Sequence, residues 1–302
     1  MFPLGIITFV AATVNGALGY GFSSITVPLA LLFLQNRVLN PALVLIEVPL
    51  NAYVLWVNRE ALPDVWRRIL PMVLGLVPGV IGGTLLVSYV SPDWLKVFTF
   101  VVLLPLILLQ AAGIRRPISA ERSAGLVFGG GLGVLYSMTT ISGPPLAIML
   151  NNQGFAKREF RAALGFVRLA ESSMTAVAYL SAGLFSARSL GLIPWIVPSV
   201  AVGVPVGAWL IRRLRAETFR RVCMSFDAWV VAFGLSKLLR DLGLVETAAA
   251  YLLLVGVILL DGWLLYRFFA RHRLELLGDA SVEGGPSPAA YGADPVRVAQ
   301  PE

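Results

Sequence analysis

Long apolar stretches alternate with short polar loops along most of the chain. A helix that crosses a bilayer needs about 20 apolar residues, at a rise of about 1.5 Å per residue. The pattern therefore predicts membrane-spanning helices at Pro41–Trp56, Ile69–Val90, Leu95–Ala112, Ala163–Ala182, Ser189–Ile211, Val222–Leu239 and Ala248–Phe269.

Two further apolar segments, Phe2–Leu34 and Ala124–Leu150, are rich in glycine and hydroxyl residues. A single helix over Phe2–Leu34 would be about 50 Å long, whereas the hydrocarbon core of a bilayer is about 30 Å thick. Two half-helices joined at a glycine turn would fit, so we predict a broken or re-entrant hairpin in each segment. The alternative is a pair of long, tilted helices whose glycines allow tight packing.

The two halves of the chain resemble each other. "VPLALLFL" at Val27–Leu34 is similar to "PPLAIMLN" at Pro144–Asn151, and a glycine-rich stretch precedes each. Further on, "GTLLVSYV" from Gly83 aligns with "GAWLIRRL" from Gly207 at a slightly larger offset. Two ordered matches predict a duplication, which is common in transporters.

Loop charges indicate how the two halves are oriented. In the first half the basic residues gather at 59–68, between the second and third segments, whereas in the second half they gather at 157–161 and 212–221. Because basic loops stay in the cytoplasm, equivalent loops are expected to face opposite sides. Segments 115–122 and 267–273 are then cytoplasmic as well.

These patterns predict an all-α polytopic membrane protein with two inverted repeats. Each repeat has a Gly-rich broken or re-entrant hairpin and about three spanning helices, and one extra span follows. The predicted divisions are a first repeat at 1–113, a cytoplasmic linker at 114–122, a second repeat at 123–240, a final span at 241–270 and a disordered cytoplasmic tail at 271–302.

Composition agrees with an inner-membrane protein: 57% of the residues are hydrophobic and 14% are charged. The first apolar run has no signal-peptide features and is expected to belong to the mature chain. Cys223 and His272 are the only residues of their types, so no disulfide framework, metal site or cofactor is expected. The net charge of +7 is explained by cytoplasmic loops, without a nucleic-acid partner.

Broken helices at membrane depth point to a binding site, because unpaired backbone groups are tolerated there only inside protein or against a cavity. Half-helix N-termini carry free N–H donors and partial positive charge, which suit an anion. The hypothesis is a substrate site formed by Asn15, Gly19, Gly21, Ser23, Ser24, Ser137, Thr139, Thr140, Ser142 and Gly143. Alternatively, these hydroxyls bond back to their own helices.

Charged residues within predicted spans are costly and therefore informative. Arg168 and Glu171 are three residues apart and can pair, and aligning the repeats places Glu47 level with Arg168. In one interpretation Arg168 binds the substrate while Glu47 or Glu171 takes up a proton, and in the other the three form a structural ion-pair network. Asp261 is expected to make a packing or oligomer contact. For Asp227 the sequence favours no particular role.

The first motif ends in "VPLALL", and the second ends in "SGPPLAI" and is followed by "REFRAALGF". Together they resemble the signatures of the TauE/SafE family of sulfite and organosulfonate exporters over roughly Phe2–Leu265. The resemblance implies transport of small anions driven by ion gradients. Where the family typically has a run of glycines, this chain has Tyr20 and Phe22, which puts the fit of a given substrate in question.

The expected function is therefore secondary active transport, in the direction of export, of a small anion such as sulfite, a sulfonate or sulfoacetate. The sequence leaves open an anion channel, an uptake permease or a membrane scaffold, and also whether the chain forms a homodimer. An intramembrane enzyme is disfavoured because no His, Cys or base-activated Ser grouping is visible. The expected partners are the anion, a coupling proton or other ion, and the lipid bilayer.

Overall fold

The computed structural model describes residues 2–112, 121–213, 216–245 and 248–283, and their regular structure is entirely helical. The helices are α1 (Phe2–Leu18), α2 (Phe22–Ala30), α3 (Asn36–Val57), α4 (Leu62–Tyr89), α5 (Pro92–Ala112), α6 (Glu121–Thr139), α7 (Gly143–Asn152), α8 (Lys157–Ser181), α9 (Ala187–Leu190), α10 (Ile193–Leu210), α11 (Ala216–Asp241) and α12 (Leu252–Glu283). Short 3-10 turns lie at Arg59–Ala61 and Ala248–Tyr251.

Each of the seven predicted spans lies in helical structure to within one residue at its ends, and one of them, Ser189–Ile211, also includes the short turn between α9 and α10. Among the described residues, six helical segments are long and apolar enough to cross a membrane: Asn36–Val57, Arg59–Tyr89, Pro92–Leu109, Ala187–Leu210, Arg221–Asp241 and Ala249–Ala270. The remaining predicted span corresponds to α8, whose 25 residues would reach across a bilayer. Its charged and hydroxyl residues lower its mean hydropathy, and those in the middle of the helix, Arg168, Glu171, Ser172 and Thr175, are buried.

The distribution of polarity is that of a protein surrounded by lipid. Large apolar side chains such as Ile81, Leu85 and Val202 are exposed, whereas charged residues such as Glu47 and Glu171 are buried. Water would favour the opposite arrangement, since burying a charge without a partner is costly. The fold is therefore built for a bilayer, as composition predicted.

Both Gly-rich segments contain an interrupted helix. Three non-helical residues, Gly19–Gly21, separate α1 from α2, and three more, Thr140–Ser142, separate α6 from α7. Gly19 and Gly21 have φ angles of 85° and 105°, a left-handed region that residues with a Cβ rarely adopt. The first interruption therefore depends on glycine.

Other glycines allow close helix packing. Helix α4 packs along α6, and a Cβ added at Gly79 would overlap the backbone carbonyl of Gly130. In the same interface Gly83 lies against Val134, and Gly133 lies against Val80. Small residues that let two backbones approach are the usual basis of helix association in membranes.

Helix α1 packs along α10 in a matching way. Gly16 lies against Val204, and Gly207 lies against Ala17. Each contact has a counterpart between α6 and α4 at the sequence offsets that relate the two halves of the chain. The glycines of these segments thus serve two purposes, since some interrupt a helix and others allow tight packing.

Helices α3 and α8 pack against each other in antiparallel directions. Gly165 lies against Leu55, Ser172 accepts a hydrogen bond from Asn51, and further along α8 Tyr179 clusters with Val44 of α3. As residue numbers rise on α8, those of its neighbours on α3 fall. This pair of helices holds three of the six buried charged residues in the described part of the chain: Glu47, Arg168 and Glu171.

The C-terminal region differs from the prediction. Helix α12 continues to Glu283, so the predicted boundary of a disordered tail at residue 271 lies too early in the chain. The reason is local sequence, because "RHRLELL" is rich in good helix formers although it is polar. Most of the predicted linker at 114–122 and the rest of the tail lie outside the described residues.

The chain divides into two compact units, Met1–Asp261 and Gly262–Glu302. Within the described residues the second unit is the remainder of α12. In that unit the guanidinium of Arg267 lies over the Trp263 ring, 4.7 Å from its centroid. Such cation–π pairs suit the boundary between lipid and water, where aromatic residues are enriched.

Candidate functional site

The two helix interruptions meet inside the protein. Gly143, the first residue of α7, lies against the ring of Tyr20, and a Cβ added there would be 3.4 Å from Tyr20 Cδ2. The second interruption is buried, and in the first Gly21 is buried, Gly19 is half-buried and Tyr20 is only 7% exposed. Tyr20, one of the two departures from the family pattern, thus lies at the junction between the halves of the chain.

The second interruption is stabilised by its own hydroxyls. Thr139 Oγ1 accepts a hydrogen bond from the Ile141 backbone N–H at 3.1 Å, and Thr140 Oγ1 donates to the Thr139 carbonyl at 2.7 Å. Thr140 has a φ of 57°, which is uncommon for a β-branched residue. Backbone held in a rare conformation often marks a functional site.

The C-terminal end of α6 is closed by two neighbouring helices. Asn40 of α3 donates from Nδ2 to the Met138 carbonyl at 2.7 Å, and the Tyr179 hydroxyl of α8 donates to the Ser137 carbonyl. Helix ends leave carbonyls without intrahelical partners, and burial makes such partners necessary. The interruption is therefore held in place by α3 and α8.

Glu47 lies at the centre of a buried cluster and accepts three hydrogen bonds. Its Oε1 accepts from Ser23 Oγ at 2.5 Å and from Arg168 Nη2 at 2.9 Å. Its Oε2 accepts from the Tyr136 hydroxyl at 2.6 Å. Glu47 belongs to α3, and its three donors belong to α2, α6 and α8. The carboxylate therefore links the half-helix that follows the first interruption to two helices of the second half of the chain.

Glu171 occupies a corresponding place at the second interruption. Its Oε1 accepts a hydrogen bond from Ser142, the residue that precedes α7. Arg168 Nε lies 4.0 Å from the same oxygen. Each interruption thus contributes one serine near a half-helix N-terminus to one buried carboxylate, and Arg168 lies between the two carboxylates.

The cluster is deeply buried and incompletely paired. Glu47 and Glu171 have no exposed surface and Arg168 is 2% exposed. Within the described part of the chain, Arg168 Nε and Nη1 and Glu171 Oε2 have no hydrogen-bond partner. With one guanidinium and two carboxyl groups, the cluster carries an excess negative charge unless one carboxyl group holds a proton.

The structure brings together some of the predicted site residues. Ser23, Ser142 and Gly143 lie at the junction, and Glu47 forms an ion pair with Arg168, the residue that the repeat alignment placed level with it. Other hydroxyls bond back to backbone in their own segment: Ser24 to Gly21, Ser137 to Gly133, Thr139 to Leu135 and Thr140 to Thr139. For these four side chains the alternative interpretation describes the observed contacts.

Asn15 is buried in α1, and its Oδ1 has no hydrogen-bond partner among the described residues. Gly19 and Gly21 form the first interruption, and they supply backbone rather than side chains. Asp261 lies away from the cluster and forms a buried ion pair with Arg221, 2.7 Å apart. This is a packing contact within the chain, one of the two options that the sequence left open.

Sequence reasoning missed Tyr136, Asn40 and Asn51. The asparagines could have been found, because Asn40, Glu47 and Asn51 recur at helical spacing and fall on one face of α3. Tyr136 carried no such signal, since a tyrosine in an apolar helix is usually a packing residue or an interface anchor.

Membrane-crossing helices, two interrupted helices that meet at their breaks, and a buried ionic cluster between them define the class of polytopic membrane transport proteins. The family model "Sulfite exporter TauE/SafE" matches residues 4–235. Since the match covers most of the chain, this protein belongs to the TauE/SafE sulfite exporter family. The matched region ends within α11, earlier than the span inferred from the motifs.

No curated protein and no solved structure gave a significant match.

Proposed function

We propose that this protein is a secondary active transporter that exports a small anion, such as sulfite, a sulfonate or sulfoacetate. The anion would bind where the two interruptions meet, and two inverted repeats would expose it alternately to the two sides of the membrane. The observation that carries the proposal is the arrangement of Ser23 and Ser142, each beside a half-helix N-terminus and each bonded to a buried carboxyl group, with Arg168 between them.

Reciprocal packing supports the repeats. The first helix of each half packs on the third long helix of the other half, so α1 pairs with α10 and α6 pairs with α4. Helices α3 and α8, which are equivalent in this scheme, run antiparallel to each other. Equivalent helices of repeats with inverted topology must cross the membrane in opposite directions, which agrees with the loop charges.

The chemistry of the junction suits an anion. The N-termini of α2 and α7 offer backbone N–H groups and partial positive charge, and Arg168 has two nitrogens without a hydrogen-bond partner in the described chain. A planar guanidinium matches the oxygens of a sulfite, sulfonate or carboxylate group. The proposed binding residues are Asn15, Gly19, Gly21, Ser23, Ser24, Ser137, Thr139, Thr140, Ser142, Gly143 and Arg168, with some acting through backbone.

Glu47 and Glu171 would couple transport to protons. An anion that approaches Arg168 meets two carboxyl groups, and a proton on one of them removes the repulsion. Substrate and proton would then affect each other's binding through the same guanidinium, which is the thermodynamic requirement for coupling. Since the cluster is buried, the helices must move before the anion enters, as alternating access requires.

We further propose that the protein lies in the inner membrane with its C-terminus in the cytoplasm, as the basic loops indicate. A homodimer is compatible with this arrangement. An anion channel or uptake permease would use the same cluster, but a channel needs a continuous path, whereas this cluster is closed by fully buried side chains. A membrane scaffold would not need the buried charges.

Transport is tested with purified protein in liposomes. We expect saturable uptake of labelled sulfite or a small sulfonate that depends on a pH gradient. Changing Ser142→Ala removes a hydrogen bond to a charged group, which is worth about 1.5–3 kcal/mol, so the flux should fall about ten- to a hundredfold.

The matched control is Ser236→Ala, which removes a buried hydroxyl of α11 outside the cluster. Its flux should equal that of the wild type. No saturable flux of any small anion through the folded wild-type protein would contradict transport, and an unchanged flux in Ser142→Ala would contradict the site.

Membrane topology is tested with single cysteines in a Cys223→Ser background. If the Gly-rich segments are re-entrant, cysteines at Phe2 and Gln35 will react with an impermeant reagent from one side, and cysteines at Ser123 and Gly154 will react from the other. All four positions are exposed. Labelling of Phe2 and Gln35 from opposite sides would instead show that α1 and α2 together cross the membrane.

A further inference from the structure

Helix α3 carries a buried polar stripe, interrupted by Leu43 and Val44, of which only Glu47 belongs to the ionic cluster. Asn36, Asn40, Glu47 and Asn51 are all buried. At 100° per residue they fall within an arc of about 60°, and they extend over about 22 Å of the helix. Buried polar residues inside a membrane are costly and usually mark a pathway or a site.

Helix α8 carries a row of polar side chains that faces the N-terminal half of this stripe. Glu171, Thr175 and Tyr179 follow one another at successive turns and are buried. Because α8 is antiparallel to α3, the row leads from the carboxyl cluster towards the N-terminal end of α3. That end borders the surface, since the adjacent Gln35 is exposed.

Four atoms along this route have no hydrogen-bond partner among the residues that the structure describes: Asn36 Oδ1, Asn40 Oδ1, Thr175 Oγ1 and Glu171 Oε2. The hydrogen bonds of the amide nitrogens define how the two asparagine side chains are oriented. Asn40 Nδ2 donates to the Met138 carbonyl. Asn36 Nδ2 donates to Thr99 Oγ1, which itself donates to the Leu95 carbonyl. The amide oxygens are therefore the free groups.

Helix–helix hydrogen bonding explains only some of these buried polar groups. The amide nitrogens of Asn40 and Asn51 do connect helices, as polar residues commonly do in membranes. The free amide oxygens and the Thr175 hydroxyl contribute nothing to that role and are costly to bury. Water molecules normally satisfy such groups in polar interiors.

The free groups also differ in kind from the free nitrogens of Arg168. Arg168 supplies donors, which an anion needs, whereas the two amide oxygens and Glu171 Oε2 are acceptors. Acceptors repel an anion and bind the hydrogens of water. The route is thus suited to protons carried by water rather than to the substrate.

We propose that the N-terminal half of α3 and the facing row of α8 form a proton route, separate from the anion route, that ends at Glu171. The inference rests on the proposed function, since it assigns the path of the coupling proton. Its outer end lies opposite the basic loop at 59–68, which places it on the outer side of the membrane by the positive-inside rule. The proton would bind Glu171 Oε2.

The charged and titratable groups around Glu171 favour this end point. Arg168 faces Glu171 from its own helix at 4.0 Å, and Glu47 and Tyr136 belong to the same cluster. Glu47 accepts three hydrogen bonds, one of them from the guanidinium, so both of its oxygens already have partners. Glu171 accepts one hydrogen bond and has a free oxygen, so it is the carboxyl group that can gain a proton without losing a contact.

The test uses Thr175→Val, which preserves shape and removes the free hydroxyl from the route. Because that hydroxyl has no partner, the variant should fold like the wild type. Two assays in liposomes separate the steps: anion uptake driven by a proton gradient, and exchange of labelled for unlabelled sulfite without a gradient. We expect proton-driven uptake to fall about tenfold, the effect of one lost hydrogen bond to a passing proton carrier, with exchange unchanged.

Thr84→Val is the matched control, since Thr84 also has a buried hydroxyl without a partner in the described chain but belongs to α4. It should alter neither assay. Asn36→Leu provides a second variant at the outer end of the route and should reproduce the Thr175→Val result.

Each outcome decides a different point. Equal losses of uptake and exchange in Thr175→Val would mean that the route carries the anion, and no loss in either assay would mean that it carries nothing. Both results would overturn the proton route while leaving the transporter intact. A wild-type protein that exchanges anions without any response to a proton gradient would instead overturn the proposed coupling.

Discussion

Replacing Arg168 with glutamine should abolish anion transport and destabilise the protein. Arg168 is buried with Glu47 at 2.9 Å and Glu171 at 4.0 Å. Removing one partner of a buried ion pair leaves an uncompensated charge and costs about 3–5 kcal/mol. Arg168→Lys keeps the charge but loses the planar fork, so we expect it to fold and still lose at least about a hundredfold of the flux.

The double variant Glu47→Gln/Arg168→Gln separates a functional cluster from a structural one. It removes the ion pair as a unit, and buried pairs can often be replaced by neutral groups with little loss of stability. Thermal unfolding in detergent should therefore show recovery relative to Arg168→Gln. The flux should stay absent, because no guanidinium remains to bind the anion.

Arg221→Gln is the matched control, because it breaks the buried pair with Asp261 outside the cluster. It should lower stability while the flux per folded molecule stays near that of the wild type. If the double variant of the cluster recovered both stability and flux, Arg168 would be a structural residue only and the binding site would lie elsewhere.

Changing Gly79→Ala should markedly destabilise the packing of α4 on α6. The new Cβ would overlap the carbonyl of Gly130, which belongs to helix backbone and cannot rotate away. Overpacking of this kind costs about 1–3 kcal/mol, and relief would require the two helices to separate. We expect a clear decrease in unfolding temperature and a loss of transport.

Gly82→Ala is the internal control on the same helix. A Cβ there has no neighbouring atom within 4 Å in the described structure. Since alanine favours helix over glycine, this variant should be neutral or slightly stabilising. Similar unfolding temperatures for the two variants would show that the α4–α6 contact is looser than the structure indicates.

The sequence predicted the helices well because a bilayer imposes a simple rule: a spanning helix must be long and apolar. Helix α8 illustrates the limit of that rule. Its charged residues lower its hydropathy, although the apolar stretch Ala163–Ala182 was still long enough to predict a span. The helix interruptions were also predictable, since Gly19 and Gly21 supply the left-handed backbone that the first break requires.

The cluster was predicted in part. Repeat alignment placed Glu47 level with Arg168, and the structure joins them directly. The pairing of Ser142 with Glu171 could not be predicted, because it depends on how α7 lies against α8. The sequence also grouped Ser24 and Ser137 with the site, although both donate to backbone of their own segments, since composition alone cannot tell which way a helical side chain points.

The reciprocal packing of the two halves has a consequence for biosynthesis. Helix α1 is made first, yet its main packing partner is α10, and Ser199 of α10 donates a hydrogen bond to Gly5, 194 residues earlier in the chain. At about 5–20 residues per second, α1 waits about 10–40 s for that partner. During this interval its glycine face must be shielded by the insertion machinery or by lipid, so a chain truncated before α10 should be a substrate for membrane quality control.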